Sequence, residues 1–143
     1  MLQYLLDTNI LLAWIRWGAL GQYIQANYQL DTINPPPIIS VVSEAELRVL
    51  AAENSWGEYK MRMLEKLVSY LSSLPIPYKV SMDAYVELDS YSRRHGYTMG
   101  KNDLWIAATA MVEGATILTT DKDFDHLPQS MVEHVFVDPS SSL

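Results

Sequence analysis

Four carboxylate side chains recur at junctions between predicted elements, close to the starts of helical patterns. They are Asp7, Glu46, Asp103 and Asp121. The carboxyl ends of parallel strands meet at one edge of an α/β sheet, so we expect these carboxylates to converge there. Converging carboxylates repel one another where the dielectric is low, and hard cations that prefer oxygen ligands would neutralise them. The pattern therefore predicts a site for Mg²⁺, for which Mn²⁺ could substitute.

Each of these residues also has a purely structural interpretation. Asp7 is a favoured N-cap type, and Ser43 with Glu46 fits the Ser-x-x-Glu capping box. The others could cap a helix, complement its positive end or start a short turn, namely Asn102 with Asp103 and Asp121 with Asp123. The structural interpretation has to be repeated at every position, whereas one metal site accounts for all of them together.

Glu44 lies two positions before Glu46 and is a competing candidate. Side chains two apart on a regular helix point about 200° apart, so both cannot face the same crevice. We expect Glu46 to face the site and Glu44 to lie outside it or at its rim.

Composition indicates one domain of ordinary size. The chain has 143 residues, of which 49% are hydrophobic, and it has no cysteine, which excludes disulfides, thiol catalysis and thiolate metal sites. A net charge of −7 argues against a general nucleic-acid coat protein, although a bound cation would reverse the field at an acidic site. Local basic residues could contact phosphate groups or form an ordinary solvated helix end: Arg93, Arg94 and Lys101.

The segments that must position these residues alternate between strand and helix patterns. Strands are predicted over residues 2–7, 38–41, 78–80, 115–119 and 135–137. Helices are predicted over residues 9–17, 20–30, 43–53, 56–73, 82–95 and 103–113, with Ser81 as an N-cap, Gly96 after a helix end, and Pro75 and Pro77 ending the fourth helix. This order predicts an α/β domain over residues 1–138 with a mainly parallel sheet flanked by helices, and a flexible tail over 139–143. We expect no membrane span and no secretory leader, and hence a cytoplasmic protein.

The chemistry that such an acidic metal site favours is phosphodiester hydrolysis. Divalent cations lower the pKa of a bound water, polarise the phosphoryl group and stabilise the leaving oxygen. Either one or two cations fit the residues available.

Four segments together resemble the PIN-domain family, and within it the VapC-like toxin ribonucleases of toxin–antitoxin pairs. The matching segments are LLDTNI at 5–10, SVVSEAEL at 40–47, NDLWIAATA at 102–110 and ILTTDKDF at 117–124. The resemblance implies a Mg²⁺-dependent endoribonuclease with Asp7 and Asp103 as principal ligands, joined by Glu46 and Asp121. Supporting polar groups would be Thr8, Asn9, Thr120 and Asp123.

The same resemblance implies partners: an RNA substrate, an antitoxin protein and a second copy of the chain in a homodimer. Early helices contribute to such contacts in the family, and here they carry the aromatic residues Trp14, Trp17, Tyr23 and Tyr28. A PIN-like module that binds RNA or protein without cutting, and a solitary PIN nuclease without an antitoxin, are the alternatives. A phosphatase of the Asp-x-Asp type is disfavoured because Asn9 stands where its second carboxylate would be.

Overall fold

Five short parallel strands form the central sheet in a computed structural model that describes residues 2–75 and 78–143. The strands are β1 (Tyr4–Leu6), β2 (Ile38–Ser40), β3 (Ser72–Leu74), β4 (Thr116–Thr119) and β5 (His134–Phe136). The helices are α1 (Thr8–Arg16), α2 (Ala19–Tyr28), α3 (Val41–Glu53), α4 (Glu58–Tyr70), α5 (Tyr78–Arg94) and α6 (Lys101–Glu113), and a short 3-10 helix spans Lys122–Phe124. The predicted α/β class with a parallel sheet is confirmed.

The strand order is β3-β2-β1-β4-β5, so the chain moves outward from β1 first in one direction and then in the other. β1 pairs on one side with β2 and on the other with β4, where Leu6 lies opposite Leu118. Crossovers that diverge from a central strand leave a crevice at its carboxyl end. Asp7 is the first residue after β1 and therefore lies at that crevice.

Alternation along β1 divides the core into two layers. Leu6 joins the cluster that holds α1 and α4, whereas Leu5 joins the cluster on the opposite face with α5 and α6. Both leucines are fully buried, as expected of a central strand that is covered by helices on both faces. The sheet thereby holds the ends of α1, α3 and α6 in fixed relation.

Two predictions between residues 56 and 80 differ from the structure, one in where a helix ends and one in the type of element. The predicted helix over 56–73 ends at Tyr70, and residues 72–74 form β3 instead. The predicted strand over 78–80 is the first turn of α5, so Ser81 lies inside that helix rather than capping it. Pro77 lies outside the described residues.

Two predicted helix caps were wrong, because α3 and α6 begin two residues earlier than predicted. Ser40 caps α3 by accepting a hydrogen bond from the Val42 N–H, which puts Ser43 inside the helix and rules out the predicted capping box. Gly100 rather than Asn102 is the N-cap of α6. At the end of α5 the prediction for Gly96 is confirmed, since this residue adopts a φ of +83° just beyond the helix.

Within residues 2–75 and 78–143, none of the helices is both long and apolar enough to cross a membrane.

Candidate metal centre

A crevice of about 560 Å³ opens at the carboxyl edge of the sheet, beside the starts of α1, α3 and α6. Its polar lining consists of Asp7, Thr8, Asn9, Glu46, Asn102, Asp103 and Asp121. The positive ends of helix dipoles favour carboxylates, which offsets part of their mutual repulsion. The structure therefore gathers into one crevice the four carboxylates that the sequence places at separate junctions.

Asp7 is both a helix cap and a member of the crevice. Its Oδ1 accepts a hydrogen bond from the Thr8 N–H at 2.8 Å, and its Oδ2 accepts one from the Thr119 hydroxyl at 2.7 Å. The side chain is 4% exposed, so these donors hold the carboxylate in one orientation. Each oxygen keeps a lone pair for a further ligand. The two interpretations of Asp7 are thus compatible.

Asp103, Asp121 and Asp123 form the tightest acidic group among the described residues. Each offers a carboxylate oxygen, and the three oxygens lie within 4.8 Å of one another. Asp103 comes from the first turn of α6, whereas Asp121 caps the 3-10 helix by accepting from the Asp123 N–H at 2.9 Å. Asp123 therefore belongs to the tight acidic group, although it does not line the crevice itself.

Glu46 faces the crevice and Glu44 faces away. The Thr8 hydroxyl donates to Glu46 Oε1 at 2.7 Å, and the Asn102 amide donates to Oε2 at 3.3 Å. Glu44 pairs instead with Arg48 one turn later on the same helix, at 3.0 Å. The two side chains diverge as expected from their separation on α3.

Burial and negative neighbours disfavour the charged forms of the central carboxyls. Burial raises the pKa of Asp103 to about 7, and the nearby charges of Asp7, Asp121 and Asp123 add to the increase. Burial likewise raises the pKa of Asp7, with hydrogen bonds from Thr119 and Thr8 opposing the change. Such a site gains stability when a cation neutralises it.

The donor set fits a hard divalent cation. Oxygen ligands at several carboxylates, with no thiolate in the chain, are the combination preferred by Mg²⁺ and Mn²⁺. Asp7, Asp103 and Asp121 line the crevice and would hold the ion, with Asp123 next to the last two and Glu46 also facing the crevice.

The remaining predicted residues lie at the crevice, at a neighbouring cavity or at the end of α5. Asn9 lines the crevice and also a neighbouring cavity of about 470 Å³, whose lining includes Thr120. Lys101 lies at the rim together with Glu46 and Asp103. Arg93 pairs with Asp89 on α5 at 2.9 Å, and Arg94 is exposed.

Thr119 and Asn102 were not predicted as site residues. The Thr119 hydroxyl donates to Asp7 and accepts from the Asp121 N–H at 2.9 Å, so it connects two of the acidic segments. Its signal in the sequence is its place as the last residue of β4, directly opposite the residue after β1. This position can be recognised as part of the site only when the pairing of β1 with β4 is known.

Comparisons with known proteins place this geometry in a family. The PIN domain family model matches residues 4–129, and the chain belongs to this family. It is 30% identical over 132 residues to Ribonuclease VapC2 of Rickettsia felis, covering 92% of this chain and 96% of that protein. It is 37% identical over 92 residues to Ribonuclease VapC4 of Mycobacterium tuberculosis, covering 63% of this chain and 70% of that protein.

A solved structure has the same fold. The crystal structure of VapBC2 from Rickettsia felis bound to a DNA fragment from its promoter matches with a TM-score of 0.81 and 26% identity, covering 96% of this chain and all of that one. The resemblance to PIN domains of the VapC type, inferred from four short segments, is confirmed.

Proposed function

We propose that this protein is a Mg²⁺-dependent endoribonuclease that hydrolyses RNA phosphodiester bonds and acts as the toxin of a toxin–antitoxin pair. The observation that carries the proposal is the gathering of Asp7, Glu46, Asp103 and Asp121 in one crevice. The names of the relatives support the ribonuclease part, since the matching proteins of Rickettsia felis and Mycobacterium tuberculosis are called ribonucleases.

Roles for the acidic residues follow from their surroundings. Asp7, Asp103 and Asp121 are the proposed metal ligands, and Asp123 forms a tight acidic group with the last two. Bound Mg²⁺, or Mn²⁺ in its place, would polarise the phosphoryl group and lower the pKa of an attacking water. Glu46 faces the crevice, and each of its carboxylate oxygens accepts one hydrogen bond, from Thr8 and from Asn102.

The uncharged neighbours fix these carboxylates in place. Thr8 donates its N–H to Asp7 and its hydroxyl to Glu46, so one residue aligns two carboxylates. Thr119 does the same for Asp7 and the backbone of Asp121. Groups that orient the ligands in this way are part of a working metal site. Asn9 and Thr120 complete the polar surroundings on the side of the neighbouring cavity.

Three cationic side chains, those of Arg93, Arg94 and Lys101, are proposed RNA contacts. Lys101 lies at the rim beside Asp103, which suits the neutralisation of a phosphate entering the site. Arg94 is exposed at the end of α5, whereas Arg93 would have to share its charge with Asp89. Lys101 is therefore the strongest of the three candidates.

An apolar groove supports the proposed antitoxin partner. Its volume is about 290 Å³, and its apolar lining comes from α1 and α4: Trp14, Ile15, Met63, Leu67 and Tyr70. Exposed apolar surface between helices is typical of a site for a partner protein. The matching Rickettsia felis structure is of a VapBC2 assembly, which supports a partner of the VapB kind for this chain. We further propose a cytoplasmic homodimer.

The test is cleavage of RNA by the purified protein. We expect single-stranded and structured RNA to be cut in Mg²⁺, and the cutting to stop on addition of EDTA. Asp7→Asn and Asp103→Asn should reduce cleavage to the level seen in EDTA, because each removes a proposed ligand. Glu44→Gln is the matched control, since Glu44 faces away from the crevice and pairs with Arg48.

Intact RNA after incubation with metal-loaded wild-type protein would refute the enzyme proposal. Undiminished RNA binding under those conditions would instead identify a binding module that does not cut. Expression should also arrest growth, and co-expression of a neighbouring antitoxin gene should relieve the arrest. Cleavage without any growth effect or partner would favour a solitary nuclease.

A further inference from the structure

Tyr97 is an exposed aromatic residue held in a fixed position between α5 and α6. Its side chain is 51% exposed, although the backbone around it is firmly anchored. The Tyr97 N–H donates to the Ser92 carbonyl at 2.9 Å, and the Gly96 N–H donates to the Arg93 carbonyl at 3.1 Å. These two bonds form the motif that closes a helix through a glycine of positive φ. The backbone of Tyr97 is therefore fixed by the end of α5.

The ring of Tyr97 is fixed as well. It stacks on the imidazole of His126 with centroids 4.2 Å apart and an angle of 11° between the planes. His126 in turn contacts the Ser92 hydroxyl through Nε2 at 2.7 Å. One face of the tyrosine ring is thus occupied by a braced partner. The exposed fraction of the side chain belongs to the remaining surface.

Two routes connect this ring to the acidic crevice. His126 follows the 3-10 helix that begins after Asp121 and contains Asp123, and Asp123 is near enough to influence the pKa of the imidazole. Along the other route Tyr97 lies three residues before Gly100, the N-cap of the helix that carries Asp103. Three residues span at most about 11 Å, so the Cα of Tyr97 lies within about 11 Å of Gly100, at the start of the helix that carries Asp103.

The loop between Tyr97 and Gly100 is also held down. Met99 is 6% exposed and packs into the core layer of α5 and α6. An exposed tyrosine that sits on a buried anchor, with its ring already stacked, loses little conformational entropy when a ligand covers it. Cationic residues flank it in a chain that is otherwise acidic, with Arg94 exposed before it and Lys101 after it.

From this arrangement we propose that Tyr97 is a stacking platform for an unpaired nucleobase of single-stranded RNA, and that it places a neighbouring phosphate at the acidic crevice. The inference rests on the proposed ribonuclease function and names how its substrate is held. Base–aromatic stacking tolerates every base, because each has a π-face. Tyr97 accordingly selects unpaired nucleotides over duplex and acts as a positioning residue. His126 is the support beneath it.

The experiment measures binding separately from cleavage. A short fluorescein-labelled single-stranded oligoribonucleotide is titrated with wild-type protein and variants by fluorescence anisotropy in Ca²⁺, and its integrity is checked on a gel. Tyr97→Ala should weaken binding about 5- to 150-fold, the range for loss of one base stack. Tyr97→Phe keeps the ring and should bind within about twofold of wild type.

Tyr59 provides a matched control. It is 69% exposed on α4, which packs on the opposite face of the sheet from α5 and α6. Tyr59→Ala should leave RNA affinity unchanged. Oligonucleotides with a single abasic position test the contact directly. Abasic substitution at the stacked nucleotide should weaken RNA binding by wild type as much as Tyr97→Ala does. The two changes together should reduce the RNA affinity no more than either change alone.

If wild type and Tyr97→Ala bind RNA with equal affinity, and thermal denaturation shows that both proteins are folded, the proposal that Tyr97 is a stacking platform is refuted. A loss of affinity that Tyr97→Phe shares would also refute it, because the ring would then not be responsible. Failure of the nuclease proposal is distinguishable, since it appears as wild-type binding without cleavage in Mg²⁺. In that case a Tyr97-dependent affinity would still support the platform.

Discussion

Replacing Asp103 with asparagine should make the metal-free protein more stable at neutral pH, although it removes a proposed ligand. The folded protein raises the pKa of Asp103 from 3.8 to about 7, mainly by burial and then through the charges of Asp7, Asp121 and Asp123. When the pKa of a group is higher in the folded state than in the unfolded state, its full contribution to stability is present only at a pH below the unfolded pKa. Stability is then lost as the pH rises from about 4 through about 7. Asparagine has no charge and avoids this loss.

The size of the effect can be worked from the same pKa. A difference of about 3 in pKa corresponds to about 4 kcal/mol at 1.36 kcal/mol for each unit. Asp103 is only partly buried, so screening by solvent reduces this to roughly 2 kcal/mol. For a domain of this size roughly 2 kcal/mol raises the melting temperature by about 4–8 °C. The gain should vanish near pH 4 and level off above the folded pKa.

The assay is thermal unfolding of wild type and Asp103→Asn in EDTA across this pH range. Addition of Mg²⁺ at pH 8 should then reverse the order, because a cation at 100 times its dissociation constant stabilises the wild type by about 2.7 kcal/mol. Glu44→Gln serves as the control, since the Glu44 carboxylate pairs with Arg48 outside the crevice. An Asp103→Asn variant no more stable than wild type at pH 8 would refute the argument from repulsion. A gain that did not change with pH would refute it too.

Three further predictions concern single positions. Thr119→Val should lower the free energy of unfolding by about 1–3 kcal/mol in urea titrations and weaken Mn²⁺ binding, because the buried Asp7 loses a hydrogen-bond donor. Thr119→Ser keeps the hydroxyl and should retain both the stability and the Mn²⁺ affinity. Equal Mn²⁺ affinity of the two variants would contradict this role. Gly21→Ala should lower the free energy of unfolding by about 1–3 kcal/mol or more in the same titration, because a Cβ there would lie 2.3 Å from the Ala13 carbonyl oxygen. A Cβ at Gly18 would meet nothing within 4 Å, so Gly18→Ser should leave the stability unchanged. Glu46→Gln should reduce RNA cleavage far more than Glu44→Gln, because Glu46 faces the crevice, and the reverse order in a cleavage assay would exchange their proposed roles.

The elements that position the site were predictable because each carries a strong local signal. The buried run of β1 followed by a capping aspartate marks the start of α1, and Gly114, with a φ of +64°, marks the end of α6. β3 lacked such a signal. It is an edge strand of the sequence Ser-Ser-Leu, exposed to half-buried, and it follows the helical pattern of α4 almost without interruption. Its pairing with β2 depends on the tertiary fold, which overrides a weak local preference.

The sequence was sufficient to predict the carboxylates of the candidate site, but it did not predict Thr119 and Asn102, which hydrogen-bond to them. Asp7 and Asp103 stand at helix starts that a parallel sheet brings to one edge, and Glu46 lies about one turn further along α3, so general rules of topology were sufficient. The contact from Thr119 to Asp7 depends on which strand lies beside β1, and the strand order could not be predicted from the sequence. The role of Asn102 required the helix start to be known within two residues, the scale on which helix boundaries are least certain.

The bond between Thr119 and Asp7 joins residues 112 positions apart. It has a consequence for a chain that is still emerging from the ribosome. Until β4 has been made and has inserted beside β1, Asp7 lacks its buried donor, and Asp121 and Asp123 do not yet exist. Pairing across such a distance is slow compared with the formation of helices. The acidic crevice is consequently assembled late, and a nascent or truncated chain that ends before residue 119 carries its carboxylates without a site.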